Sequence, residues 1–226
     1  MRTMQGSARH GGALHSKAMP CRGKVGQGTA RQGKAILGLL LFSAIAAAQE
    51  PVIIPTSAPL ELRSALAMHT PYIVVPAGQY VFDGGIEIPS GTVVCWAPGS
   101  TIKFQISERP QECTEESPAV IVAAVKFGAG VDWIAHGSTF SVQWTGEGSP
   151  PAPTSLGIHL LYGRGVDGVR IRGGEYRETP GDGVYIGPGP NREPCTDWQI
   201  DDITADANWR QGLSITSANG VLVRNS

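Results

Sequence analysis

Acidic side chains are absent from the first 49 residues, although Arg2, Arg9, Lys17, Arg22, Lys24, Arg31 and Lys34 all fall there. Elsewhere charge is scarce. Only 16% of residues are charged and the net charge is −1, so no overall field points to nucleic acid or an anionic membrane. The apolar run Ala35 to Ala48 counts 14 residues, short of the ~20 that span a bilayer. No CxxC or His-rich spacing suggests zinc, and no GxSxG, P-loop, HExxH or EF-hand pattern occurs. Beyond Pro71 no helical periodicity appears.

What is present begins with an export signal. A basic leader, a short apolar core and Ala46-Ala47-Ala48 before Gln49 make a secretory signal peptide over residues 1–48, with no transmembrane span besides it. The leader is long, which leaves the start open between Met1, Met4 and Met19. The working protein is expected outside the cytoplasm. Removing the signal takes Cys21, leaving Cys95, Cys113 and Cys195. In an oxidising compartment a Cys95–Cys113 bridge would close the polar loop "SERPQECTEESP", with one thiol over.

Residues 49–70 read as a linker and a short N-terminal capping helix. Ser57 stands at its N-cap, and Leu60, Leu62, Ala65, Leu66 and Met68 form an approximate stripe. From residue 71 to 226 the chain is strand and turn. With 30 Gly and 17 Pro it is an all-β protein, either a sandwich or a solenoid. Superposing "GVRIRGGEY" (168–176), "DWQIDDITA" (197–205) and "GVLVRNS" (220–226) separates the two. Val169, Trp198 and Val221 then share a column, as do Ile171, Ile200 and Val223, at offsets of 29 and 23 residues. A second run keeps the larger offset, with Gly183 on Gly212, Val184 on Leu213 and Ile186 on Ile215. A coil-by-coil repeat requires this common offset and a sandwich does not. The loop "GPGPNREPC" (187–195) supplies the six extra residues of the longer coil.

Outward positions agree. Arg172, Asp201 and Arg224 fall in one column with alternating sign. Gly173, Asp202 and Asn225 fall in the next, at a bend suited to unusual backbone angles. The expectation is a parallel β-helix of some five coils. The strand Val221–Arg224 would have no coil above it, which reads as a C-terminally incomplete helix or as an edge covered by a partner or swapped segment.

The stretches "VPAGQYVFDGGIEIPSGTVVCWAPGSTIKF", "GDGVYIG" and "NWRQGLSITSANGVLVRN" resemble pectin-lyase-like right-handed parallel β-helix proteins over about residues 55–226. The resemblance implies the fold and a carbohydrate-active role. It does not choose among polysaccharide lyases, polygalacturonase-type hydrolases, epimerases, tailspikes and non-catalytic members. Against the polygalacturonase pattern, Asp182 matches the first aspartate, but the following Asp pair falls on Arg210 and Gln211. An inverting hydrolase needs two carboxyl groups, so hydrolysis is disfavoured. Lyase or epimerase chemistry suits an arginine better, because a cation stabilises charge developing on a uronate carboxyl group. The candidate catalytic residues are Asp182 and Arg210, with Tyr185, Trp209 and Gln211 as substrate-binding candidates. Asp182, Asp201 or Asp206 would be the ligands for Ca²⁺. Simpler readings stand beside these. Asp182 between two glycines suits a turn, Arg210 suits a solvated surface, and His136 and His159 lack a matched acid in sequence. The expected partner is an acidic polysaccharide or cell-surface glycan, acted on by a secreted enzyme. The alternative is a non-catalytic adhesion module.

Overall fold

The computed structural model describes residues 52–53, 59–111, 121–151 and 157–226. The signal peptide over 1–48, the proposed N-cap Ser57 and Cys113, the partner expected for Cys95, lie outside the described residues.

Among those residues the chain forms seventeen strands and one helix. Strand β1 (Val52–Ile53) and helix α1 (Pro59–Ala67) come first. Five triplets of strands follow. These are β2 (Tyr72–Val75), β3 (Gln79–Asp83) and β4 (Ile86–Ile88); then β5 (Val93–Trp96), β6 (Thr101–Ile106) and β7 (Ala123–Phe127). Next come β8 (Asp132–Ile134), β9 (Thr139–Trp144) and β10 (His159–Arg164), and then β11 (Arg170–Arg172), β12 (Glu175–Arg177) and β13 (Val184–Gly187). The last triplet is β14 (Cys195–Asp201), β15 (Thr204–Asp206) and β16 (Leu213–Ile215), followed by β17 (Ala218–Arg224).

From β2 onward each strand pairs in parallel with the strand three places away, so each triplet is one coil, and β1 pairs in parallel with β2. Sheet A runs β1-β2-β5-β8-β11-β14-β17, sheet B β3-β6-β9-β12-β15, and sheet C β4-β7-β10-β13-β16. The architecture is mostly β, in three stacked parallel sheets, consistent with an all-β parallel solenoid. Strands this short hold few ladder bonds each, so they depend on the neighbour above and below.

The expected columns are the actual register. Ile171 pairs with Ile200 and Ile200 with Val223; Trp198 pairs with Val221. Val184 and Ile186 pair with Leu213 and Ile215. Side chains of alternate residues on each strand enter the interior, where Trp96, Trp133, Trp198, Phe82, Phe104, Phe140 and Tyr176 lie fully buried. Aromatic rings stack from coil to coil, Phe82 on Phe104 at 5.1 Å and Phe140 on Tyr176 at 5.3 Å. A buried relay ties two sheets together: the Trp133 indole N–H donates to Tyr176 Oη (3.1 Å), and Tyr176 donates to the Gly173 carbonyl (2.9 Å).

The bend column also holds. Gly173, Asp202 and Asn225 adopt φ of 72°, 57° and 53° at one corner of three successive coils, a region that Gly, Asp and Asn enter at least cost. Outside it, Arg224 clamps Asp201 through Nε (2.6 Å) and Nη2 (3.1 Å), while Arg172 turns toward Asp132 (3.3 Å).

Helix α1 corrects part of the expected stripe. Leu62, Ala65 and Leu66 are buried, at the i, i+3, i+4 spacing of one narrow face. Leu60 and Met68 fall off that face and are exposed. Pro59 opens the helix at the first position, where a missing N–H costs nothing. Arg63 ties it to the β3–β4 turn by donating to the carbonyls of Asp83, Gly84 and Gly85.

The corners differ in length. Between sheets A and B the links are uniformly short, ending with 173–174 and 202–203. Between sheets B and C they run from 84–85 up to 107–122 and 145–158. Ile171 sits without exposed surface in the middle of its column. Ile171→Ala is expected to cost about 2–5 kcal/mol, measured by urea denaturation at constant pH. A loss well below that would mean the column is not continuous.

Candidate functional site

The corner between sheets B and C places the candidate residues. Pairing of Leu161 with Val184 and of Val184 with Leu213 puts His159, Asp182 and Gln211 at one register position on three successive coils. The two glycines flanking Asp182 serve close approach. A Cβ on Gly181 would lie 2.5 Å from the Ile158 carbonyl oxygen, and one on Gly183 would lie 2.8 Å from Asn208 Nδ2 and from the Gly212 carbonyl oxygen. Only glycine lets this coil press against both neighbours.

Side chains at this position serve the amides of the coil above. His159 Nδ1 accepts the Asp182 backbone N–H (3.3 Å), Asp182 Oδ1 accepts that of Gln211 (3.1 Å), and Gln211 Oε1 accepts from Ser214 Oγ (2.5 Å). Asp182 therefore does satisfy backbone, as a turn aspartate would, but one coil away. Its other oxygen, Oδ2, lies 3.3 Å from His159 Nδ1 and 3.3 Å from Arg210 Nη1. Neither approach has hydrogen-bond alignment, and Oδ2, Nη1 and His159 Nε2 are buried without a hydrogen-bond partner.

His159 and Asp182 have no exposed surface. Burial pushes the Asp182 carboxyl up, but the adjacent His159 and the charge of Arg210 outweigh it and hold the group below the usual carboxylate range. His159 Nδ1 faces opposed demands: the Asp182 amide suits a bare nitrogen, and the Asp182 carboxylate suits a protonated one. Two tyrosines enclose the imidazole. Tyr185 stacks on it at 4.5 Å and Tyr162 at 5.8 Å, and the phenol rings lie 5.5 Å apart. Burial pushes the Tyr162 phenol up to about 12 against the opposing charge of Arg164, so its hydroxyl stays protonated. Tyr185 is half-buried, and its oxygen accepts from Thr216 Oγ1 (3.0 Å).

Asp182 and Arg210 thus meet, Tyr185 joins them through His159, and Gln211 joins through its backbone. Arg210 reaches from the buried carboxylate toward solvent, with 24% of its side chain accessible. Trp209 stands apart: its side chain is 53% exposed, and its backbone N–H donates to the Thr179 carbonyl (3.0 Å). In sequence His159 has no matched acid, and the structure supplies one in Asp182 of the next coil. The signal was its position 23 residues before Asp182, the spacing that separates Ile200 from Val223. Ser214 and Tyr162 carried no such mark.

The three carboxylates considered for Ca²⁺ do not converge. Asp182 faces Arg210 and His159, Asp201 is held by Arg224 and Gln199, and Asp206 lies 3.8 Å from Arg177. Among the described residues no group of three or more His, Cys, Asp or Glu side chains could hold a metal ion.

A carboxyl group whose pKa is lowered by folding adds stability above its unfolded value, near ~3.9. That stability is lost as pH falls through the folded value. Asp182→Asn, which keeps an acceptor for Gln211, should therefore flatten the acid limb of stability against pH. Urea midpoints from neutral pH downward test this, and an unchanged acid slope in the variant would refute it. Comparison with known proteins finds no matching family model, no matching curated protein and no matching solved structure.

Proposed function

We propose that residues 71–226 form a right-handed parallel β-helix of the pectin-lyase-like kind, with α1 covering its first coil, exported from the cell and acting on acidic polysaccharide by lyase or epimerase chemistry. The observation that carries the proposal is the meeting of Asp182, His159 and Arg210 on adjacent coils, with Arg210 reaching solvent and Tyr185 stacked on His159. In this reading Asp182, having no exposed surface, positions Arg210 and does not meet substrate. Arg210 lies against a uronate carboxylate. As the proton on the neighbouring carbon leaves, negative charge spreads onto that carboxylate, and a preorganised guanidinium stabilises it more than water does. A base must take that proton. Tyr185, stacked on His159 and only half-buried, serves as that base in its phenolate form and, as the phenol it becomes, returns the proton to the departing glycosidic oxygen. In a lyase the electron pair left behind expels the glycosidic oxygen and forms a carbon–carbon double bond. In an epimerase the proton returns on the opposite face.

The burial of His159 and Asp182 favours a second reading, in which the same corner is a rigid support for glycan binding without chemistry. Among the described residues no helix is long and apolar enough to cross a membrane.

Ultraviolet absorbance separates the two, because elimination creates a conjugated double bond. The full chain, incubated with polygalacturonate, alginate or chondroitin, should give rising absorbance with at least one of them. Arg210→Ala should lower that rate by about 10²–10³. Silence with all three removes the lyase reading, and binding without absorbance supports the binding module.

A further inference from the structure

A groove of about 910 Å³ lies between α1 and the outer face of sheet C, on the early coils and away from the Asp182–Arg210 corner. Its wall is an outward column of the sheet, Glu87, Lys126 and Tyr162 in register, which continues to Tyr185 and Ser214. Arg63 closes one side and Arg164 the other.

Charge in the groove is unbalanced. Lys126 has Glu87 at 3.7 Å, an exposed pair that solvent screens. Arg63 and Arg164 have no carboxylate within 4 Å among the described residues; both donate to backbone carbonyls, Arg164 to that of Pro188 at 3.0 Å. A carbonyl accepts a hydrogen bond without cancelling a full charge, so two guanidinium charges remain uncompensated beside one cavity. The second observation is Tyr162 Oη. It lines this groove, its residue is 6% exposed, and it has no hydrogen-bond partner. A buried hydroxyl without a partner is costly in the free protein and available to a ligand.

We infer that this groove binds an acidic oligosaccharide, with Arg63, Arg164 and Lys126 receiving its carboxylates and Tyr162 Oη donating to a sugar oxygen. The inference rests on the acidic-polysaccharide reading and names where the chain is held. Size decides against a small inorganic anion, since pockets for organic ligands hold about 300–1,000 Å³ and this one lies near the upper end. Tyr162 belongs both to the groove and to the stack with His159 and Tyr185. A saccharide crossing the coils along this column therefore leads toward Arg210.

The test is calorimetric titration of the full chain with oligomers of galacturonate, mannuronate and chondroitin, with a neutral glucose oligomer and with inorganic phosphate. At least one acidic oligomer should bind, more weakly as salt rises. Arg164→Glu and Lys126→Glu should each weaken it about tenfold or more, and Tyr162→Phe should weaken it less. Arg164→Gln, a milder change at an exposed position, guards against misfolding and should fall between wild type and Arg164→Glu. Binding that survives both charge reversals overturns the groove and leaves the polysaccharide reading standing. Equal affinity for the glucose oligomer or for phosphate also overturns it. Failure of every acidic oligomer to bind wild type overturns both.

Discussion

A parallel strand is satisfied by a neighbour running the same way, and in this chain that neighbour lies one full coil away. Three-residue strands such as β8, β11 and β15 hold few ladder bonds, so none is stable alone. Register is the outcome. Sliding one coil by a single residue would carry Ile171 or Ile200 from the interior to solvent and bring Arg172 or Asp201 inside. The apolar columns and the charged columns outside them are two faces of that one constraint, and the left-handed bend at Gly173, Asp202 and Asn225 marks where it is reset on three successive coils.

The candidate site follows from the same register. His159, Asp182 and Gln211 are distant in sequence and stacked in space because each stands two residues before the first inward residue of the sheet C pairing. At this position the stack changes from apolar to polar. The corner leaves amides of Asp182 and Gln211 without a carbonyl to meet, and side chains from the coil below accept them. A carboxylate placed there for structural reasons also sets the place of a guanidinium. The geometry thus couples backbone satisfaction at the corner to the position of Arg210.

Much of the fold was legible because its signal repeats. Two strand columns with a common 29-residue offset, and a third member 23 residues on, sufficed to align Ile171, Ile200 and Val223. The bend column was readable because few residue types accept its backbone angles. The helix was less legible: an amphipathic stripe in so short a segment tolerates outliers, and Leu60 and Met68 proved to be exposed. Asp182 stood out as a match to the polygalacturonase pattern of carboxylates, and Arg210 as a departure from it. His159 did not, since a histidine without a sequence-adjacent partner looks like any structural histidine. Its partner comes from the next coil, and only the 23-residue spacing hints at it. The groove beside α1 was invisible in sequence. Arg63, Lys126 and Arg164 are spread over a hundred positions and share no repeat offset. They converge only through the packing of the helix against the early coils.

Link length varies at two of the three corners, from sheet B to C and from sheet C to A, and hardly at the third. Where sheets A and B meet, two to four residues turn the chain, and several adopt left-handed angles, at Gly99, Gly137, Gly173, Gly174 and Asp202, so little can be inserted there. Where sheets B and C meet, the chain between successive strands lengthens to 107–122 and 145–158, and β7 and β10 keep their parallel pairing beyond these links. Such a scaffold separates two kinds of inheritance. Length can be added at such a corner while the stacked interior keeps its register.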